Sequence, residues 1–132
     1  RTYLCADAKA IAVGALEPQF YRELVERSGA PAEFHDEQNE QTNWVSRSHL
    51  LEQLFATRSR DEWCGLLEGS DACFAPVLEL EEVPDHRHMK ARGSYVMVDG
   101  VLQSAPVPRF SRTPGAIPAA VSGDEMLREW GV

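Results

Sequence analysis

The sequence has no long run of apolar residues. Among its 132 residues none approaches the roughly 18 consecutive apolar positions that a membrane-spanning helix requires. Its first five residues, Arg1 to Cys5, also lack the basic region and apolar stretch of a secretory signal. We therefore expect no membrane partner and no secretory leader.

Cysteine is scarce. Cys5, Cys64 and Cys73 are odd in number and widely spaced, which excludes a disulfide framework, and no C-x-x-C pair offers a thiolate zinc site. His86 and His88 are two apart, a spacing that places them on different faces of a helix. We expect no bound metal and a reducing compartment: the cytoplasm, or a peroxisome or mitochondrion in a eukaryote.

Basic residues are outnumbered. The chain has 13 Lys and Arg against 21 Asp and Glu, a formal net charge of −8. Such a surface repels the phosphates of nucleic acid, so we expect no nucleic-acid partner. If the ligand carries phosphates, another part of the protein should hold them.

What the sequence does contain predicts an α+β fold. Hydrophobic residues make up 43% of the chain, enough for a core. Strands are predicted at 3–5, 10–16, 72–77, 95–98 and 101–103. The first two are expected to form a hairpin, Pro76 suggests an edge position or a strand end, and Asp99-Gly100 is a hairpin turn. Together they indicate a small, mostly antiparallel sheet of hairpins covered by three or four helices.

Five helix starts are indicated by capping or proline signals. They are Pro18, Asn43, Ser59, Pro84 and Ser122, and the two serines form capping boxes with Glu62 and Glu125. Residues 32–42, between the first two helices, are polar and acidic and predict a surface loop. Seven side chains of the second and third helices are expected to be buried: Trp44, Leu51, Leu54, Phe55, Trp63, Leu66 and Leu67. Cys73 is expected to be a small core residue.

The last part of the sequence differs from the rest. Residues 1–104 predict a small α+β domain, whereas 105–132 predict an extended, proline-punctuated tail ending in a short helix. Such a tail needs another surface to lie along. Because the sequence also begins without Met and directly on a predicted strand, we expect a piece of a larger protein.

Glu17 is the leading candidate for a chemical role. It follows a predicted buried strand and precedes Pro18, and glutamate is an uncommon helix cap. A carboxylate held at a strand end can orient an imidazole or accept a proton, although capping alone is the other interpretation. Gly14, inside the predicted strand, suggests a close approach by a backbone or a ligand.

Five segments, in order and spacing, resemble the C-terminal part of the α-methylacyl-CoA racemases. They are 3–7 (YLCAD), 12–21 (AVGALEPQFY), 60–63 (RDEW), 71–78 (DACFAPVL) and 105–112 (APVPRFSR). The resemblance covers about residues 1–113, and the second segment is its most specific part. These racemases belong to the class III CoA-transferase superfamily.

The resemblance implies a small domain that works with a large CoA-binding domain in an interlocked homodimer. The family epimerises the α-carbon of 2-methylacyl-CoA thioesters, with no cofactor beyond the CoA of the substrate. Its proton-transfer His and Asp lie in the large domain and match no position here. Glu17 matches a glutamate that hydrogen-bonds that His, and Leu16 matches an apolar position beside the acyl chain; Gly14 is expected to line the substrate too.

Two alternatives stay open. The chain could be the small domain of a class III CoA transferase, which moves CoA between acids through an aspartyl thioester. Alternatively, the isolated piece could be only a dimerisation and substrate-covering module without turnover. The segment at 17–21 (EPQFY) favours the racemase branch.

Overall fold

An antiparallel three-stranded sheet organises the first of two units. The computed structural model describes residues 1–132 and divides into Arg1–Glu79 and Leu80–Val132. The strands are β1 Thr2–Leu4, β2 Ala10–Val13 and β3 Phe74–Val77, in the order β1-β2-β3. The predicted β1–β2 hairpin and the edge position of Pro76 are confirmed, and Val13 of β2 pairs with Phe74 of β3.

β2 is shorter than expected. It ends at Val13, whereas the sequence predicted a strand to Leu16. The Gly14 N–H still donates to the Cys73 carbonyl at 2.9 Å, but the chain then leaves the sheet to reach Pro18. Residues 14–17 therefore form an exit segment that connects β2 to the first helix and is not part of the sheet.

Three helices pack on this sheet. They are α1 Pro18–Ser28, α2 Trp44–Phe55 and α3 Arg60–Leu67. Gly29 ends α1 at φ 74°, where glycine is unstrained, and its N–H donates to the Val25 carbonyl. The predicted capping box of Ser59 and Glu62 opens α3. Two short 3-10 turns, Ala32–Phe34 and Gln41–Asn43, interrupt the predicted loop, and Phe34 is buried.

The core forms around three aromatic rings. Phe55 contacts Tyr3 at 4.9 Å and Trp63 at 5.1 Å between ring centroids, the second pair edge to face. The Trp63 indole N–H donates to the Phe55 carbonyl at 2.9 Å, so its one polar atom is satisfied inside the core. Ile11 and Leu67 belong to the same core and are fully buried.

Three residues expected in the core are exposed. Trp44 is 52% exposed because its indole N–H turns outward to donate to the Gln38 carbonyl. Leu66 is 38% exposed because the buried stripe of α3 runs through Trp63 and Leu67, leaving Leu66 on its flank. Cys73 has φ +47°, a left-handed conformation that leaves its side chain at the surface.

The second unit contains α4 Arg87–Arg92, β4 Tyr95–Val98, β5 Val101–Ser104 and α5 Gly123–Glu129. The predicted hairpin is confirmed, with Asp99 and Gly100 both at positive φ. α4 begins three residues after Pro84, because His86 is still extended and its N–H closes a turn on Glu82 and Val83. The capping box of Ser122 and Glu125 opens α5.

Residues 105–122 contain neither helix nor strand. Arg109 donates to the Gly93 carbonyl at 2.6 Å and ties this segment to the end of α4. The return of 105–132 to a large domain stays a prediction. None of the helices combines the length and apolar character needed to cross a bilayer.

Candidate functional site

The exit segment places Leu16 and Glu17 on the surface. Leu16 is 79% exposed, unusual for a leucine beside a buried strand, and Gly14 and Glu17 are exposed as well. Within four residues the segment thus exposes an apolar side chain, a carboxylate and, at Gly14, backbone that no side chain covers. These are the three positions that the sequence singled out.

Glu17 occupies the N-cap position of α1 but does not cap it with its side chain. Its backbone is extended, at φ −72° and ψ 145°, and its carboxylate makes no cap hydrogen bond. The first turn of α1 holds no acidic residue, so Glu17 is the carboxylate nearest the helix start. Capping, which the sequence left open, is therefore not what this carboxylate does, and it is free to meet another group.

Gly14 is not required by the packing of this chain. A Cβ built on it would approach only the Cys73 carbonyl oxygen, at 3.9 Å, which is an ordinary van der Waals distance. Its φ lies outside the left-handed region. An alanine would fit here, so neither space nor backbone conformation within these residues explains the glycine.

An apolar groove lies beside the exit segment. It has a volume of about 380 Å³, and its lining is mostly apolar: Arg1, Tyr3, Val13, Gly14, Ala15, Leu16, Tyr21, Leu24 and Leu51. A second depression of about 260 Å³ shares Leu16 and Tyr21 with it and continues past Trp44. Burial raises the pKa of the Tyr21 phenol, against the lowering effect of Arg47, so this phenol is uncharged near pH 7. Apart from Arg1, the groove is lined by uncharged residues, and this lining suits an apolar ligand group.

The exit segment is held by a residue that sequence reasoning missed. The Gln38 side-chain amide donates to the Leu16 carbonyl at 2.6 Å. Gln38 lies in the polar stretch predicted as a surface loop, 22 positions along the chain, and no local motif signals this contact. Only the folded chain brings these two residues together.

Several other titratable residues pair among themselves. His86, His88 and the basic residues of α4 belong to the second unit, where Lys90 pairs with Asp85 at 2.9 Å. His49 on α2 contacts Glu52 at 3.0 Å. No group of three or more His, Cys, Asp or Glu side chains in residues 1–132 is arranged to hold a metal ion.

The model of CoA-transferase family III matches residues 1–122. The chain belongs to CoA-transferase family III. The resemblance to its racemases is confirmed by two relatives, the α-methylacyl-CoA racemases of Mus musculus and Homo sapiens, at 38% and 36% identity over 98% of this chain. A CaiB/baiF CoA-transferase family protein of Caenorhabditis elegans is 31% identical over 83% of it.

Solved structures of this fold are known. A structure of Rv3272 from Mycobacterium tuberculosis matches with a TM-score of 0.72 at 16% identity, over 88% of this chain and 34% of that one, and shows the fold alone. The chain spans 36% of the length of the two racemases. Gly14, Leu16 and Glu17 lie on the exposed exit segment of this family III chain.

Proposed function

We propose that the full-length protein is an acyl-CoA racemase that epimerises the α-carbon of 2-methylacyl-CoA thioesters. The observation that carries this proposal is the identity of 36–38%, over 98% of the chain, to proteins named α-methylacyl-CoA racemase. In this reaction the thioester carbonyl acidifies the neighbouring C–H bond. One group removes the proton to leave an enolate, and an acid returns a proton to the opposite face.

Glu17 would support this chemistry and would not transfer the proton itself. The transferring His and Asp would come from outside residues 1–132. A carboxylate beside such a histidine fixes its tautomer and stabilises the imidazolium that forms when it accepts a proton. The exposed Glu17 carboxylate, uncommitted to the helix that it precedes, supports this role.

Gly14 and Leu16 would line the path of the substrate. The groove beside them is lined mostly by apolar side chains, which suits the acyl portion of the thioester. The net charge of −8 supports the same division, because phosphates would be held elsewhere. No cofactor is needed beyond the CoA of the substrate, and the working unit would be a homodimer.

Two alternative functions are each supported by a specific observation. The family name and the Caenorhabditis elegans relative favour a CoA transferase, in which an aspartyl thioester carries CoA between acids. The short span of the chain relative to the racemases fits a dimerisation and substrate-covering module that does not turn over alone. The reducing compartment predicted from the cysteines stays a prediction.

The decisive experiment follows one epimer of a 2-methylacyl-CoA in D2O, without an acceptor acid. We expect the full-length protein to incorporate deuterium at the α-carbon and to change the epimer ratio together. Residues 1–132 alone, as the control, should do neither. No exchange, combined with CoA transfer once a free acid is added, would move the assignment to the transferase branch.

The same assay tests Glu17. Glu17→Gln in the full-length protein should lower kcat about 10- to 100-fold, the cost of losing one hydrogen bond to a charged group. The dissociation constant for CoA should stay within about twofold, because the change affects the catalytic histidine and not the residues that bind CoA. Glu26→Gln, on the exposed side of α1, is the matched control. Equal losses of turnover and CoA binding would contradict the assigned role.

A further inference from the structure

We propose that Gln38 is a positioning residue that sets the direction in which the Glu17 side chain projects from the backbone. This inference rests on the proposed function, since it assigns to Gln38 an effect that reaches the substrate only through Glu17. Its physical basis is the hydrogen bond from the Gln38 side-chain amide to the Leu16 carbonyl, at 2.6 Å.

The Leu16 carbonyl belongs to the peptide unit that joins Leu16 to Glu17. A peptide unit is planar, so holding its C=O also fixes the plane of the Glu17 nitrogen and the start of the Glu17 backbone. β2 ends at Val13, so the ladder of the sheet does not orient this peptide. Gln38 supplies the restraint that the sheet would otherwise give.

Pro18 restrains Glu17 from the other side. A proline disfavours the helical region for the residue before it, and Glu17 is accordingly extended, at φ −72° and ψ 145°. With the preceding peptide held by Gln38 and the following one by Pro18, the Cα–Cβ bond of Glu17 has a defined direction. Only the side-chain torsions of Glu17 remain to be set by the group that it meets.

Gln38 is itself held by residues at the start of α2. The indole N–H of Trp44 donates to the Gln38 carbonyl at 3.0 Å. Next to it, the Arg47 guanidinium donates to both the backbone carbonyl and the carboxylate of Glu37, and the Arg47 side chain is only 8% exposed. Asn43 donates to the same carboxylate at 3.0 Å.

These contacts make the 37–38 turn a rigid support and not a loose loop. The Arg47 guanidinium lies 5.2 Å from the centroid of the Phe34 ring, a cation–π contact that anchors it to a buried side chain. The restraint therefore runs from the core, through the 37–38 turn, to the peptide before Glu17. A support that acts this way should change turnover more than substrate affinity.

The test is a double-mutant cycle in the full-length protein, read by deuterium exchange at the α-carbon. Gln38→Met keeps the length of the side chain and removes its N–H donors. We expect it to lower kcat about tenfold and to leave KM within about twofold. In a Glu17→Gln background the same change should have no further effect on kcat, because the residue it positions is already disabled.

Gln41→Met, an exposed glutamine in the same stretch, is the matched control and should leave kcat unchanged. Trp44→Phe removes the indole donor to the Gln38 carbonyl and is an independent second variant, expected to lower kcat about threefold. An equal loss from Gln38→Met in both backgrounds, or none in the first, would overturn the role of Gln38 alone. An unchanged kcat for Glu17→Gln would instead overturn the proposed function of Glu17, and this inference with it.

Discussion

Replacing Gly14 with alanine should affect the stability of the fold and the activity on substrate differently. The added methyl group would meet only the Cys73 carbonyl oxygen, at 3.9 Å, and Gly14 has no positive φ to lose. Alanine also restricts the unfolded chain more than glycine does, which stabilises a protein by about 0.4–1 kcal/mol where the native backbone accepts it. Gly14→Ala should therefore leave the free energy of unfolding unchanged or raise it by up to about 1 kcal/mol.

The same substitution should lower the activity. If the acyl group of the substrate lies against the bare backbone at Gly14, a methyl group there occupies space that the substrate uses. Inserting such a group into a packed contact costs about 1–3 kcal/mol, which corresponds to about a 5- to 150-fold loss in kcat/KM. A stable protein with poor turnover is the expected outcome.

The assays are denaturant unfolding and α-proton exchange, both on the full-length protein. Gly65→Ala is the matched control, because Gly65 lies within α3 with open space around its added Cβ. It should stabilise by about 0.5–1 kcal/mol and leave kcat/KM unchanged. An unchanged kcat/KM for Gly14→Ala would remove Gly14 from the substrate path, and a loss of stability above about 1 kcal/mol would refute the backbone argument.

Two further predictions concern α3. Leu67→Ala should lower the free energy of unfolding by about 3–5 kcal/mol, measured by denaturant unfolding. Leu66 is 38% exposed on the same helix, so Leu66→Ala should lower it by less than half as much. Equal losses would contradict the exposed position of Leu66. Hydrogen bonds from the Ser59 side chain and backbone hold the pKa of Glu62 below its ordinary 4.5. The resulting stabilisation is present above pH 4.5 and is lost as pH falls through the folded pKa, so Ser59→Ala should destabilise at pH 7 and matter less in acid, as thermal unfolding across pH would show.

The features that the sequence predicted correctly are those encoded within a few residues. Asp99-Gly100 specifies its hairpin because both residues accept positive φ, and Ser59 with Glu62 specifies a helix start because two reciprocal hydrogen bonds join them. Glu17 was also singled out from its neighbours along the chain, and its chemical role stays a prediction. Such signals need no knowledge of the tertiary structure.

The errors and omissions depend on distant contacts. Trp44 lies on the expected stripe of α2, yet a hydrogen bond to Gln38 keeps its ring outside the core. Cys73 lies in an apolar segment, but a left-handed backbone turns it to the surface. The contact between Gln38 and Leu16 is the clearest case, because its two partners meet only after α1 has folded back.

The pairing of β2 with β3 has a consequence for the newborn chain. The ribosome adds roughly 5–20 residues per second, so the roughly 60 residues from Val13 to its partner Phe74 take about 3–12 s to appear. Throughout that interval the hairpin of β1 and β2 has an unpaired edge, open to association with other chains. Synonymous codons that slow synthesis between residues 14 and 73 would lengthen this exposure while leaving the protein sequence unchanged.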